Sequence, residues 1–212
     1  MPHSHDHIDG ECYPSVTEIT GSKPKPWLKK WRAKLGEEAA DAVVAVANLF
    51  GTRFHSGIEK LLRREDVRED DPHVWGALAR IEAWIDENCP HPLMLEVKVW
   101  SKLHRYQGTL DCVCLLLGIL VIVDWKSSKR IYPDMVLQLV AYARALFEMT
   151  GIVIKRGLIV RVAKFPPYRL ESKWFDLTDE VFNEFLELRK EYGERPCDGT
   201  NVNRDIRTGA PV

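Results

Sequence analysis

The stretch from Asp111 to Asp124 constrains this chain more than any other. Cys112 to Val123 is almost wholly apolar, an aspartate stands at each end, and Gly118 is the only turn-forming residue inside. The run is well short of the roughly 18–20 residues needed to cross a bilayer. An apolar run broken once by glycine reads instead as a buried β-hairpin. If Leu117-Gly118 is a two-residue turn, Leu116 pairs with Ile119 and Asp111 lands opposite Asp124. If Gly118-Ile119 is the turn, Asp111 faces Lys126. Both registers share parity, and residues two apart on a strand point the same way. Asp111, Asp124 and Lys126 are therefore expected on one face.

Two carboxylates at cross-strand distance, roughly 4.5–5.5 Å between Cβ atoms, repel each other. Apolar walls raise that cost unless a proton is shared or a cation sits between them. A hard divalent ion, Mg²⁺ or Mn²⁺, takes carboxylate oxygens and keeps several waters. Such an ion acidifies water and stabilises charge growing on phosphorus. A neighbouring ammonium, Lys126, can hold the attacking water or neutralise the transition state. These are the requirements of phosphodiester hydrolysis. The blander reading is a hairpin whose aspartates lie at exposed strand ends; it leaves unexplained why both acids interrupt an otherwise continuous apolar hairpin.

Global charge does not announce a nucleic-acid partner. Lys+Arg number 30 against Asp+Glu 31, for a net charge of −1, and 45% hydrophobic with 29% charged residues is an ordinary soluble mix. Collagen, a disordered tail protein and a disulfide miniprotein are excluded. Local charge differs. Lys23, Lys25, Lys29, Lys30, Arg32 and Lys34 occur with no acid among them and are interleaved with Trp27 and Trp31. That pattern suits phosphates and unstacked bases, and equally a solvated helix whose tryptophans face the core. Lys155, Arg156, Arg161, Lys164, Arg169 and Lys173 form a second basic segment with only Glu171 against them. The two segments are expected to flank the acidic site and guide a strand to it.

Five scattered cysteines (Cys12, Cys89, Cys112, Cys114, Cys197) argue against a disulfide framework and for a reducing compartment. Cys112 and Cys114, inside an apolar strand, read as small core residues. The polar start with His3, His5 and His7 has neither a secretory nor a mitochondrial targeting pattern, so the expectation is a cytoplasmic protein without a membrane partner.

Residues 1–12 read as a flexible tail, 13–192 as one domain and 193–212 as an irregular tail. Within the domain, 13–90 is mainly helical and 91–192 an αβ core. Helical spacing runs over 37–49, from Gly51 through Leu62, and over 72–88, 134–148 and 178–192. Strands are expected over 94–100, 108–116, 119–127, 157–164 and 173–177. Helices, a strand meander, a helix, strands and a helix describe an α/β domain with a central mixed β-sheet flanked by helices.

A Gly-x-x-Asp, an apolar hairpin and then Asp124-Trp-Lys126-Ser-Ser-Lys, followed by a helix with Gln138 and Tyr142, resembles the RecB-like branch of the PD-(D/E)XK nucleases. Gly51-Thr-Arg-Phe-His55-Ser-Gly-Ile-Glu59 resembles that branch's extra histidine helix. Pro14-Ser15-Val16-Thr17 and Tyr106-Gln-Gly-Thr-Leu-Asp111-Cys are similar to the subgroup of mitochondrial genome maintenance and phage exonucleases. The resemblance spans roughly residues 13–165. It implies a restriction-endonuclease-like core with an N-terminal helical segment. It also implies metal ligands at His55, Asp111, Asp124 and the carbonyl of Trp125, a catalytic Lys126, and a metal-site or supporting carboxylate at Glu96. Nucleic-acid contacts would come from Ser15, Thr17, Lys23, Lys25, Ser127, Gln138 and Tyr142. Leu110 stands where many family members have proline. Only Cys197 lies in the C-terminal part, so no iron–sulfur cluster is expected.

The activity implied is a Mg²⁺- or Mn²⁺-dependent DNA exonuclease preferring single-stranded ends, in replication, repair or recombination, with a viral or phage genome as one source. An endonuclease of the same superfamily is the near alternative; a weakly active DNA-end-binding subunit is the distant one. The chain has no Walker-type loop, so any helicase, polymerase or recombinase partner would be a separate chain.

Overall fold

In the computed structural model, which describes residues 7, 8 and 10–193, the hairpin takes the first of the two registers. Strand β4 (Tyr106–Leu116) returns as β5 (Ile119–Lys126), with Leu116 opposite Ile119 and Cys112 opposite Val123. Leu117 and Gly118 have φ of 52° and 75°, the positive pair that a type I′ turn needs. Glycine accepts this readily; Leu117 accepts it with its side chain in solvent.

Three more strands complete a five-stranded sheet in the order β3-β4-β5-β6-β7, with β3 at His91–Ser101, β6 at Arg156–Val162 and β7 at Leu170–Asp176. Only β5 and β6 are parallel, and α5 (Pro133–Thr150) makes the crossover between them. The sheet is mixed because hairpins build its two sides while one helical connection joins them. It is an α/β layered fold, as the element pattern predicts.

One face packs α5 against α1 (Val16–Gly21) and α6 (Asp179–Tyr192) around Ile122, Leu139 and Phe185. The other carries α3 (Glu37–Leu62) and α4 (Pro72–Asn88) over Val121, Val123 and Trp125. Trp125 is anchored edge-to-face on Trp84, with ring centroids 5.4 Å apart.

Several expectations shift. The two helices anticipated over 37–49 and from Gly51 are one helix, since Gly51 has open space around it and requires no bend. Helix α2 (Pro26–Leu35) buries none of its residues, so its tryptophans do not point into the core. Residues expected in the flexible tail form a small ribbon, β1 (His7–Ile8) with β2 (Glu11–Cys12). Cys12 is disulfide-bonded, whereas Cys89, Cys112 and Cys114 are free thiols. The cysteines are therefore not uniformly reduced, and spacing alone gave no sign of it. The C-terminal segment from 194 lies outside the described residues.

Strand alternation reverses within β3 and β4 instead of continuing along them. On β4, Leu110 packs into the α1/α5 layer and Cys112, two residues on, into the α3/α4 layer. On β3 the same reversal separates Val97 from Leu95. Between them lie Asp111 and Glu96, flanked by the pairs Leu95–Cys112 and Val97–Leu110. Glu96 has φ of 50°, a left-handed conformation uncommon for a non-glycine residue and rarer still inside a strand.

Candidate metal centre

The reversal gives Asp111 access to the α3 side of the sheet. Its Oδ2 lies 3.4 Å from His55 Nδ1 and accepts a hydrogen bond from the Trp125 backbone N–H at 2.9 Å. His55 reaches the strand because α3 packs Phe54 and Ile58 into the core, which turns the adjoining face with His55 towards Asp111. One ligand atom each from His55, Glu96 and Asp111 fall within 4.8 Å of one another. Two carboxylates and an imidazole converging at that spacing form a donor set suited to a divalent cation.

Asp124 is placed differently from Asp111. It is 2% exposed, and both its oxygens face the Lys126 ammonium, Oδ1 at 2.8 Å and Oδ2 at 2.7 Å. Only Oδ1 meets hydrogen-bond geometry. Oδ2 is buried without a hydrogen bond and keeps its lone pairs for another electrophile. Burial pushes the Asp124 carboxyl above its ordinary range, Lys126 pulls it back, and Asp111 adds a further upward push. Asp124 and Lys126 thus share a face, as strand parity predicts. Asp124 stands outside the 4.8 Å group of His55, Glu96 and Asp111.

The remaining candidates divide. Ser127 is buried behind Lys126. The backbone just beyond it is held by Arg161, whose Nη1 donates to the carbonyls of Ser128 at 2.8 Å and Lys129 at 3.0 Å. Gln138 and Tyr142 share the buried face of α5. Gln138 Nε2 donates to Thr20 Oγ1 at 3.1 Å, while its Oε1 is buried without a partner. The Tyr142 ring lies on Gly108, where an added Cβ would stand 2.6 Å from Cε1. That close approach explains the glycine.

Ser15 caps α1. Its hydroxyl accepts from the Glu18 N–H at 3.1 Å, and its own N–H donates to Glu18 Oε2 at 2.7 Å. This capping box is legible as Ser-x-x-Glu and supplies a structural use for Ser15 beside the expected contact. Thr17 Oγ1 lies 3.1 Å from Ser15 Oγ. Lys25 is 3.7 Å from Asp134 at the start of α5, and Lys23 is exposed two residues before it.

The second basic segment does not form one cationic surface. Arg161 is buried on carbonyls and pairs with Glu171 at 3.4 Å. Arg156 pairs with Asp176 at 3.3 Å and lies over Trp174. Their charges are answered within the fold, so counting cations overstated the charge available to a ligand.

No family model matches the chain. Among curated proteins it is similar to mitochondrial genome maintenance exonuclease 1 of Homo sapiens, 28% identical over 210 residues, covering 86% of this chain and 58% of that protein. The Mus musculus protein of the same name is 30% identical over 165 residues, covering 69% of this chain and 48% of that protein. In sequence, the chain is thus similar to proteins named as mitochondrial genome maintenance exonucleases. The chain spans about half the length of the curated relatives it matches. Among solved structures, LHK-Exo in complex with dAMP superposes with a TM-score of 0.44 at 10% identity, covering 85% of each chain.

Proposed function

We propose that this chain is a divalent-metal-dependent DNA exonuclease acting on single-stranded ends. One observation carries the reading: His55, Glu96 and Asp111 converge beside the buried Asp124–Lys126 pair. Relatives named as genome maintenance exonucleases support both the exonuclease class and DNA as substrate.

His55, Glu96, Asp111 and the spare Oδ2 of Asp124 would hold the cation, with the Trp125 carbonyl as a further candidate. An ion of the Mg²⁺ or Mn²⁺ class supplies Lewis-acid charge neutralisation for phosphodiester hydrolysis. Mixed carboxylate and imidazole donors favour Mn²⁺ over Mg²⁺, which prefers oxygen alone. Lys126, fixed by Asp124, presents an ammonium that can hold a water or offset the charge growing on the phosphate oxygens. Arg161 keeps the 128–129 backbone in place behind it. Gln138, whose Oε1 has no partner, and Tyr142 would orient the strand from α5. Exposed α2, with Trp27 44% exposed and Lys29, Lys30 and Lys34 on the same helix, supports the single-strand preference.

The test uses 5′- and 3′-labelled single-stranded, duplex and closed circular DNA with Mg²⁺ or Mn²⁺. Wild type should release label from single-stranded ends and leave circles intact. Asp124→Ala and Lys126→Ala should lose cleavage while retaining DNA binding. Cleavage persisting in both variants sinks the site, and cleavage of circles replaces the exonuclease with an endonuclease.

A further inference from the structure

Beyond the metal centre, one cation near it has no anionic partner among the described residues. Lys164 follows β6, three residues after Arg161, and Arg161 stands opposite Lys126 in the parallel ladder. The connection from β6 to β7 therefore leaves the sheet at the same end as Lys126. The Lys164 ammonium lies 5.1 Å from the centroid of the Phe50 ring on α3. Phe50 stacks on Phe54 with centroids 6.0 Å apart, and Phe54 meets the His55 ring edge-to-face at 5.9 Å. A continuous row of rings thus links Lys164 to a proposed metal ligand. Phe50 precedes His55 by five residues, about 7.5 Å along the helix axis.

Neighbouring cations have their charge answered. Arg53, on the same helix, is held by Glu69, and Arg161 by Glu171 and two carbonyls. No carboxylate pairs with Lys164 among the described residues. Burial alone pushes its ammonium down to about 8, the direction expected of a partly desolvated cation with no anion to offset the loss of water. A cation–π contact recovers only part of that loss.

We infer that Lys164 is a phosphate-binding residue that receives a backbone phosphate of the nucleic-acid strand next to the one being cleaved. The inference rests on the nuclease reading above. A phosphate is the anion that a strand entering the His55–Asp111 site brings within reach of this end of the sheet, and Phe50 fixes the ammonium in advance of binding. Lysine suits the task as a compact charge with three donors.

The test measures binding of a fluorescein-labelled oligothymidylate by anisotropy in EDTA, across a range of salt concentrations. Wild type, Lys164→Met and Lys164→Arg are compared, and thermal melts confirm that each is folded. Lys164→Met should bind about tenfold more weakly at low salt. Its dependence of log affinity on log salt should be shallower by about 0.7, the slope of one single-strand phosphate contact. Lys164→Arg should restore most of both. In oligonucleotides carrying one neutral methylphosphonate, wild type should lose affinity at a particular linkage, and Lys164→Met should show no loss there.

A Lys164→Met protein with wild-type affinity, salt slope and methylphosphonate profile overturns the inference while leaving the nuclease reading intact. A wild type that neither binds nor cleaves any oligonucleotide overturns the nuclease reading, and this inference with it.

Discussion

Replacing Lys126 by Met in metal-free protein leaves the Asp124 carboxylate buried without its ammonium. Both Asp124 oxygens lie within 2.8 Å of Lys126 Nζ, and Asp124 is 2% exposed, so water cannot take the place of the ammonium. The carboxyl then folds in its neutral form. The cost at pH 7 is bounded by protonating an aspartate whose unfolded pKa is near 3.9. Three pH units at ~1.4 kcal/mol each give a ceiling of about 4 kcal/mol. Removal of one partner from buried ion pairs falls in the same range, roughly 3–5 kcal/mol.

The dependence on pH has a definite sign. A carboxyl whose folded pKa is raised holds its proton more tightly folded than unfolded. Its contribution is fully present below about pH 3.9 and is lost as pH rises through the folded value. The deficit of Lys126→Met relative to wild type should therefore be greatest at pH 7. It should shrink by up to ~1.4 kcal/mol per pH unit towards pH 4. Urea unfolding in EDTA at pH 7, 6 and 5 reads this directly, and Asp124→Asn combined with Lys126→Met should recover most of the loss. A deficit below about 1 kcal/mol at pH 7, or one equal at pH 5 and pH 7, refutes the reasoning that this pair is held by mutual neutralisation.

Three further outcomes are expected. Gly108→Ala should destabilise by about 1–3 kcal/mol through its clash with the Tyr142 ring, and thermal melts should show relief in the Gly108→Ala/Tyr142→Leu protein. Glu96→Gln should lower Mn²⁺ affinity by at least about tenfold in calorimetric titration, the scale on which even outer-sphere partners act; unchanged affinity removes Glu96 from the donor set. Lys164, a base whose folded pKa lies at about 8, binds fewer protons folded than unfolded up to its ordinary value near 10.4. Wild-type stability should therefore rise relative to Lys164→Met between those values, and parallel curves from pH 7 to 10 would contradict its desolvation.

The hairpin was legible because one glycine in an apolar run leaves two registers, and both give Asp124 and Lys126 the same face. Local rules of this kind propagate reliably along a strand paired on both sides, as β5 is. The reversal at Glu96 and Asp111 was not legible, since no residue type announces a left-handed glutamate within a strand. That conformation is imposed by packing: Val97 and Leu110 must enter one layer while Leu95 and Cys112 enter the other. The consequence is chemical. With unbroken alternation Asp111 would face Asp124 directly, as the sequence suggests. With the reversal it reaches His55 on α3, and Glu96 joins it.

Charge was the least legible property, for a reason that bears on function. In sequence, Arg156, Arg161 and Lys164 are equivalent members of one basic segment. Strand pairing separates them: β7 brings Asp176 to Arg156 and Glu171 to Arg161, register by register. Lys164 lies past the last pair of that ladder, Val162 with Leu170, where β7 supplies no facing acid. The end of an antiparallel ladder is thus where a basic segment stops being neutralised by its own fold. In this chain that end adjoins Lys126. The available charge is small in number and placed where a polyanion approaching the His55–Asp111 site would meet it, which reconciles a net charge of −1 with the nucleic-acid substrate proposed above.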